Sequence, residues 1–213
     1  MGGHFDSCSS QKRPMASIIA RRLAKWNMSM GLKEDQAYAR ANCERLITGF
    51  PTVLLKQEGT IYTRLSQAKI SPMKKLAAIY ELLDSIGAYI SPATPCKKGC
   101  SNCCHYSVTV SEVEIQFIEV NVKKKRLKTI LPRADFHGHA CPFLKNNACS
   151  IYAARPFVCR RFHALSPTAE WCAPDKSFLG EFPQVQSSEI ESAFNALRES
   201  SPTWDIRQVF GRA

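Results

Sequence analysis

The sequence predicts a mainly α-helical protein in which an irregular, loop-rich segment is organised around a cluster of cysteines. Three observations support this fold class. Apolar residues recur at helical spacing through much of the first half of the chain. Prolines interrupt the second half too often for long regular elements. Eight cysteines fall between residues 96 and 172. We therefore expect a small α domain built around a metal or cysteine cluster.

Length and composition allow one compact domain. The chain has 213 residues, 45% of them apolar, which is enough for a sizeable core. Within it we expect four segments. They are a disordered tail at 1–14, a helical region at 15–90, a cysteine-cluster metal-binding domain at 91–180, and a C-terminal helix with its tail at 181–213.

The cysteine content bears on the compartment. Ten cysteines indicate either disulfides in an oxidising compartment or thiolates on a metal in a reducing one. No apolar run near Met1 is long enough for a signal peptide, and none spans a bilayer. We therefore expect a soluble, cytoplasmic protein without membrane association, in which closely spaced thiols bind metal. Cys8 and Cys43 stand apart and are predicted not to be ligands.

The net charge of +11 is unevenly distributed. Residues 1–75 contain 13 Lys and Arg against 5 Asp and Glu, so they carry +8 of it. A surface for nucleic acid is one interpretation. The basic residues are scattered and lack interleaved aromatics, so a solvated helical face is favoured. A protein partner is not indicated.

Helical patterns fill the first half. A basic amphipathic helix is predicted at 16–30 and a second helix at about 33–47. The β-branched stretch 52–63 is predicted to be an irregular or strand-like connector. A further helix should start after Ser71, an N-cap candidate followed by proline, and end at Gly87.

Two capping boxes predict the later helices. Ser111 with Glu114 should begin a helix that reaches about residue 125, where the basic run 123–126 would neutralise its C-terminal end. Ser188 with Glu191 should begin the last helix.

The cysteines carry the chemistry. Thiolates are soft ligands suited to zinc or to a [4Fe–4S] cluster. We predict eight ligands, namely Cys96, Cys100, Cys103, Cys104, Cys141, Cys149, Cys159 and Cys172.

The adjacent pair Cys103 and Cys104 bears on the number of sites. Neighbouring side chains point in divergent directions, so we expect either that the pair is divided between two sites or that one member is not a ligand. If the segment is helical, Cys96, Cys100, Cys103 and Cys104 lie along one face.

Other side chains are expected around the ligands. Arg155 and Arg160 would compensate the negative centre, and Arg155 would tie loop carbonyls or sulfurs together. The aromatic residues Phe143, Tyr152, Phe157 and Phe162 would form a dry shell. Any of His105, His137 and His139 could replace a thiolate, but eight cysteines suffice, and His105 would be the first exception. No catalytic residue is predicted.

The spacing Cys96, Cys100, Cys103-Cys104, followed by Cys141-Pro142-Phe143-Leu144, Cys149-Ser150-Ile151-Tyr152, Arg155-Pro156 and Cys159-Arg160, resembles the bacterial YkgJ-type cysteine-cluster family. That family is described as a zinc- or iron-chelating domain and is named for a CxxCxxCC signature. The resemblance covers roughly residues 75–175 and implies metal binding, largely without an assigned reaction. Here the first spacing is x3 rather than x2.

Three further functions are weighed against metal or redox handling. The x3 spacing also occurs in radical S-adenosylmethionine enzymes, but too few residues follow it for their barrel. Flagellin lysine methylase is similar in its cysteine cluster and suggests methyl transfer that depends on an iron–sulfur centre, although those proteins are much longer. A zinc-stapled nucleic-acid-binding module is the third alternative, and whether the protein is an enzyme is left open.

Replacing single cysteines should separate ligands from bystanders. Cys100→Ala or Cys159→Ala should lower the metal content and destabilise the fold, because metal-binding free energy is folding free energy in such sites. Cys8→Ser and Cys43→Ala should leave the metal content unchanged. Metal analysis of the purified variants checks this, and a Cys43→Ala protein without metal would contradict the grouping.

Overall fold

The computed structural model describes the backbone of residues 15–199 and 201–211, and side chains from residue 30 onward. The predicted tail at 1–14, with Cys8, lies outside these residues. The described part is mainly α-helical with very short strands, which confirms the predicted fold class.

Seven α-helices occur among the described residues. They are α1 (Met15–Thr48), α2 (Thr52–Gln67), α3 (Pro72–Ile90), α4 (Glu112–Val122), α5 (Phe157–Arg161), α6 (Ser188–Leu197) and α7 (Ile206–Phe210). Four short strands accompany them, β1 (Thr109–Ser111), β2 (Leu144–Lys145), β3 (Ala148–Cys149) and β4 (Thr203–Asp205). Strand β1 pairs antiparallel with β4, and β2 pairs antiparallel with β3.

The first two helices differ from expectation. Helix α1 is continuous from Met15 to Thr48, not two helices. The predicted connector at 52–63 is wrong, because these residues belong to α2. Leu54, Ile61 and Leu65 repeat at helical spacing, and burial of the last two outweighs the β-branched residues and the mid-helix Gly59.

Helix α3 begins as predicted and ends later. The Ser71 hydroxyl accepts a hydrogen bond from the Lys74 N–H at 3.4 Å, which confirms the N-cap. Gly87 is not the C-cap, because the helix continues to Ile90. Gly87 instead allows close packing, since a Cβ there would lie 3.2 Å from His163 Nε2.

Helix α4 has the predicted capping box of Ser111 and Glu114. It ends at Val122, earlier than expected, where Lys123 adopts a left-handed φ of 56°. Arg126 does not face the helix end as predicted. It folds back onto Glu112 and Glu119 and lowers the pKa of both carboxyl groups.

Helix α6 has the predicted apolar face but lacks the predicted cap. Ile190 and Phe194 are buried, and the Phe194 ring stacks on Phe157 with centroids 4.0 Å apart. The helix begins at Ser188, so this residue is not its N-cap. Glu191 pairs with Arg161 on α5, so a tertiary ion pair replaces the local capping bond.

Two hydrophobic clusters organise the described residues. The helical core joins α1, α2, α3 and α6, and it contains the buried side chain of Cys43. The cysteine-side core joins β1, α4, α7 and the loops that carry Cys141 and Cys149. No element is predicted from the sequence after residue 201, yet β4 and α7 complete this second core.

Glu114 is the polar link between the two cores. Its side chain is only 2% exposed. The carboxylate accepts hydrogen bonds from the Tyr80 hydroxyl at 3.0 Å and from the Phe157 N–H at 2.9 Å, as well as from Ser111. One buried carboxylate therefore ties α3, α4 and α5 together. Among the described residues, no helix is long and apolar enough to cross a membrane.

Glu114→Gln should destabilise the protein by about 1–3 kcal/mol, because an amide cannot accept all of these hydrogen bonds and buried donors lose their partner. Glu81→Gln, at an exposed position on α3, is the matched control and should change stability by less than about 0.5 kcal/mol. Urea denaturation measures both, and equal effects of the two substitutions would contradict the role of Glu114.

Candidate metal centre

The eight predicted ligands lie on turns and very short elements. Cys96 and Cys100 flank a turn that contains Gly99 with a φ of 94°. Cys103 and Cys104 lie in the 3-10 turn Asn102–His105, so the four cysteines of the first segment do not share a helical face. Of the others, Cys149 is in β3, Cys159 is in α5, Cys172 closes the 3-10 turn Glu170–Cys172, and Cys141 follows a loop. All eight are free thiols.

Four of these residues belong to the cysteine-side core, and we call them the inner cysteines. They are Cys104, Cys141, Cys149 and Cys159. The Cys141 N–H donates to the Cys104 carbonyl at 2.8 Å. The charges of Cys141 and Cys149 act on both Cys104 and Cys159. The inner cysteines therefore lie in one region of the cysteine-side core.

The remaining four we call the outer cysteines, Cys96, Cys100, Cys103 and Cys172. Cys172 is brought to the first segment by two hydrogen bonds. Asn102 donates to the Ala169 carbonyl at 2.8 Å, and the Tyr106 hydroxyl donates to the Cys172 carbonyl at 2.9 Å. The charges of Cys96, Cys100 and Cys103 all act on Cys172.

The adjacent thiols of Cys103 and Cys104 influence each other's protonation. Interaction with the Cys104 thiol lowers the pKa of Cys103 to about 7, and interaction with Cys103 raises the pKa of Cys104. Arg155 also lowers the pKa of Cys103. The charge of Cys103 acts on the inner residues Cys149 and Cys159 and on the outer residue Cys172.

Burial and backbone donors act on the thiols in opposite directions. Burial raises the pKa of Cys141 to about 11 and that of Cys172 to about 12. Against this, the backbone N–H groups of Asn102, Phe143 and Ile151, each two residues ahead, offset part of the rise in the pKa of Cys100, Cys141 and Cys149. Such donors favour the thiolate, which is the form that binds metal.

The described residues contain no group of three or more His, Cys, Asp or Glu side chains already arranged to hold a metal ion. The sulfurs are therefore near one another without converging on a single point. Metal binding in either set would involve deprotonation of the thiols and their approach around the metal.

Arg207, on α7, is the main link between the cysteine loops. Its side chain is fully buried, and Arg207 was not predicted from the sequence as part of the site. The guanidinium donates to four backbone carbonyls, those of Cys104, Tyr106, His139 and Ala140. Its charge is paired with Asp205 at 3.2 Å and lowers the pKa of Cys141. One cation thus joins the segment of Cys104 to that of Cys141.

Arg160 has a similar role for the chain between Cys149 and Cys159. Its side chain is 2% exposed and donates to the carbonyls of Ala153 and Arg155 and to the Asp84 carboxylate. Its guanidinium also lies over the Tyr80 ring, 4.1 Å from the centroid. The carbonyl tie expected of Arg155 is thus made by Arg160, which fixes the chain between Cys149 and Cys159.

Arg155 faces the sulfurs. Its charge contributes to the lowered pKa of Cys103 and offsets part of the rise that burial gives the pKa of Cys149 and Cys159. The guanidinium lies 4.1 Å from the Tyr152 ring centroid and 3.9 Å from Asp84. Its Nε is buried and has no hydrogen-bond partner among the described residues. A donor is therefore held next to the thiols without an acceptor.

The predicted aromatic shell is only partly present. Phe143 and Phe157 are buried, but Tyr152 is 63% exposed and Phe162 is 41% exposed. Tyr152 supports Arg155 instead of excluding water, so its place in a dry shell was wrong.

The histidines near the cysteines contact backbone carbonyls. His105 Nδ1 lies 3.1 Å from the Ser101 carbonyl oxygen, and His137 Nε2 lies 3.0 Å from that of Pro174. The His139 carbonyl accepts from Arg207.

These features define the class as a cysteine-cluster metal-binding protein. Residues 95–184 match the family model described as "CxxCxxCC: Putative zinc- or iron-chelating domain". This match confirms the resemblance noted from the sequence and supports metal binding by the cysteine cluster. Comparisons with curated proteins and with solved structures returned no match.

Arg207→Lys should lower the free energy of unfolding by about 2–4 kcal/mol, because an ammonium group cannot bond to four carbonyls and buried acceptors lose their donors. Arg133→Lys, at an exposed position, is the control and should have little effect. Chemical denaturation of both variants, with metal content measured in parallel, tests this. An Arg207→Lys protein as stable as the control would contradict the proposed role.

Proposed function

We propose that the cysteines bind iron as one or more [4Fe–4S] clusters, and that the protein acts in electron transfer or metal handling in a reducing cytosol. Residues 95–184 match the model of a zinc- or iron-chelating domain, which supports metal binding. The [4Fe–4S] cluster is our proposal for the form in which that metal is bound.

The donor set supports this proposal. Eight free cysteines lie between residues 96 and 172. Two histidines near them, His105 and His137, contact backbone carbonyls. Thiolate-only coordination is typical of iron–sulfur clusters, although it also suits zinc. Eight thiolates are generous for a single structural zinc, which needs four ligands.

The unpartnered Nε of Arg155 is the observation that carries the proposal. A buried donor without an acceptor costs about 1–3 kcal/mol, so such a group usually has a partner in the functional state. Here the charge of Arg155 acts on Cys103, Cys149 and Cys159. A negative thiolate or sulfide would accept this hydrogen bond and offset the cost of burying the charge.

A bound cluster would supply one-electron redox chemistry, at a potential set by nearby charge and by hydrogen bonds to sulfur. The chain supplies both. Arg155 contributes to the lowered pKa of Cys103, and Arg207 offsets part of the rise that burial gives the pKa of Cys141. Backbone N–H groups do the same for the pKa of Cys100, Cys141 and Cys149. These groups would favour the more negative, reduced state.

Anaerobic purification followed by metal and acid-labile sulfide analysis tests the proposal directly. We expect iron, sulfide and broad visible absorption. Zinc without visible absorption would overturn the iron–sulfur assignment and leave a zinc-chelating domain. A protein that takes up neither metal after reconstitution would overturn metal binding as its function.

Arg155→Leu should make the midpoint potential more negative, because the reduced centre loses a nearby positive charge and a hydrogen-bond donor. Arg161→Leu is the matched control, since Arg161 is half exposed and pairs with Glu191. Redox titration monitored by the visible absorption measures both. Equal potentials in the two variants would show that Arg155 does not act on the centre.

A further inference from the structure

We infer that the protein has two separate four-cysteine metal sites, one formed by the inner cysteines and one by the outer cysteines, instead of a single centre. This inference rests on the proposed metal-binding function and concerns the same region. Each site takes ligands from both the segment 96–104 and the segment 141–172, so the two sites do not follow the order of the cysteines in the chain.

Packing separates the two sets. Cys104, Cys141, Cys149 and Cys159 all contact the cysteine-side core, together with buried residues such as Phe143 and Ile151. None of the outer cysteines belongs to either hydrophobic cluster of the described residues. The two sets therefore occupy different environments, one against apolar side chains and one among turns.

Each set has its own backbone ties. The inner set is joined by the bond from Cys141 to the Cys104 carbonyl and by the Arg207 guanidinium, which donates to the same carbonyl at 3.1 Å. The outer set is joined by Asn102 and Tyr106, which bond to the segment Ala169–Cys172. Different hydrogen bonds thus position the ligands of each site.

Cys103 lies in the chain where the two sets adjoin. It follows Asn102, which donates to the Ala169 carbonyl beside the outer Cys172, and it precedes Cys104 of the inner set. Counting places Cys103 in the outer site, since the inner site already has four thiols and the outer site has three without it. The adjacent pair is then divided between two neighbouring sites.

Titration with Co²⁺ counts the sites without assuming the native metal. Tetrahedral thiolate coordination gives this ion strong sulfur-to-metal charge-transfer absorption, and four thiolates are the expected ligand number. The reduced, metal-free full chain should saturate at about two equivalents. The double variant Cys96→Ser/Cys172→Ser, altered outside both cores, should keep about one equivalent with unchanged absorption per ion. Cys43→Ala is the control and should keep both.

Results that contradict the two sites can be told apart from results that contradict metal binding itself. Saturation of the unaltered chain at one equivalent would overturn the two sites and leave the proposed function intact, whereas no binding would overturn both. Loss of all Co²⁺ from the double variant would indicate one shared centre.

A measurement on the unaltered chain tests the two sites without requiring that any variant fold correctly. Because the outer site lies outside the hydrophobic cores, excess EDTA should remove Co²⁺ in two phases of equal amplitude. A single phase for the whole release would contradict two sites in different environments.

Discussion

Backbone carbonyl groups in the cysteine loops depend on two buried guanidinium groups. Loops of this kind lack the repeated hydrogen bonds of a helix or sheet, and their carbonyls need other donors when buried. Arg207 donates to four carbonyls on two loops, and Arg160 donates to two more between Cys149 and Cys159. Both cations also have a carboxylate partner, Asp205 and Asp84 respectively. Charge-assisted hydrogen bonds therefore hold the loops of Cys104 and Cys141 and the chain between Cys149 and Cys159.

Glu114 extends this arrangement to the rest of the protein. It connects the helical core with the cysteine-side core through Tyr80 and Phe157. The Tyr80 ring in turn lies under the Arg160 guanidinium. A continuous path of buried polar contacts thus runs from α4 through α3 to the chain beside Cys159, so the helices position the cysteine loops as well as covering them.

Capping motifs in the sequence correctly predicted those helix starts that depend only on neighbouring residues. The caps at Ser71 and Ser111 depend on side chains that bond to backbone three residues away, and both are present. Tertiary contacts decided the other cases. Gly87 lies inside α3, where it packs on His163, instead of ending the helix. Glu191 pairs with Arg161 instead of forming the predicted capping box. Helical spacing of apolar residues and capping motifs depend on nearby residues, so they do not predict such distant partners.

The candidate site shows the same division. The residue types and spacing were enough to select the eight cysteines, but not to show which of them face one another. No local signal marks Arg207 as a link between loops, because the carbonyls that it binds lie 67 to 103 residues earlier in the chain. Its importance follows from β4 and α7, which reach those loops only in the folded chain.

The position of Arg207 also has a consequence for biosynthesis. During translation Cys104 leaves the ribosome long before Arg207, which lies 103 residues later. The thiols of the first segment therefore exist for most of that interval without the cation that fixes their loop. The carbonyl groups of Cys104 and Tyr106 therefore gain this buried donor only after the C-terminal elements have been synthesised.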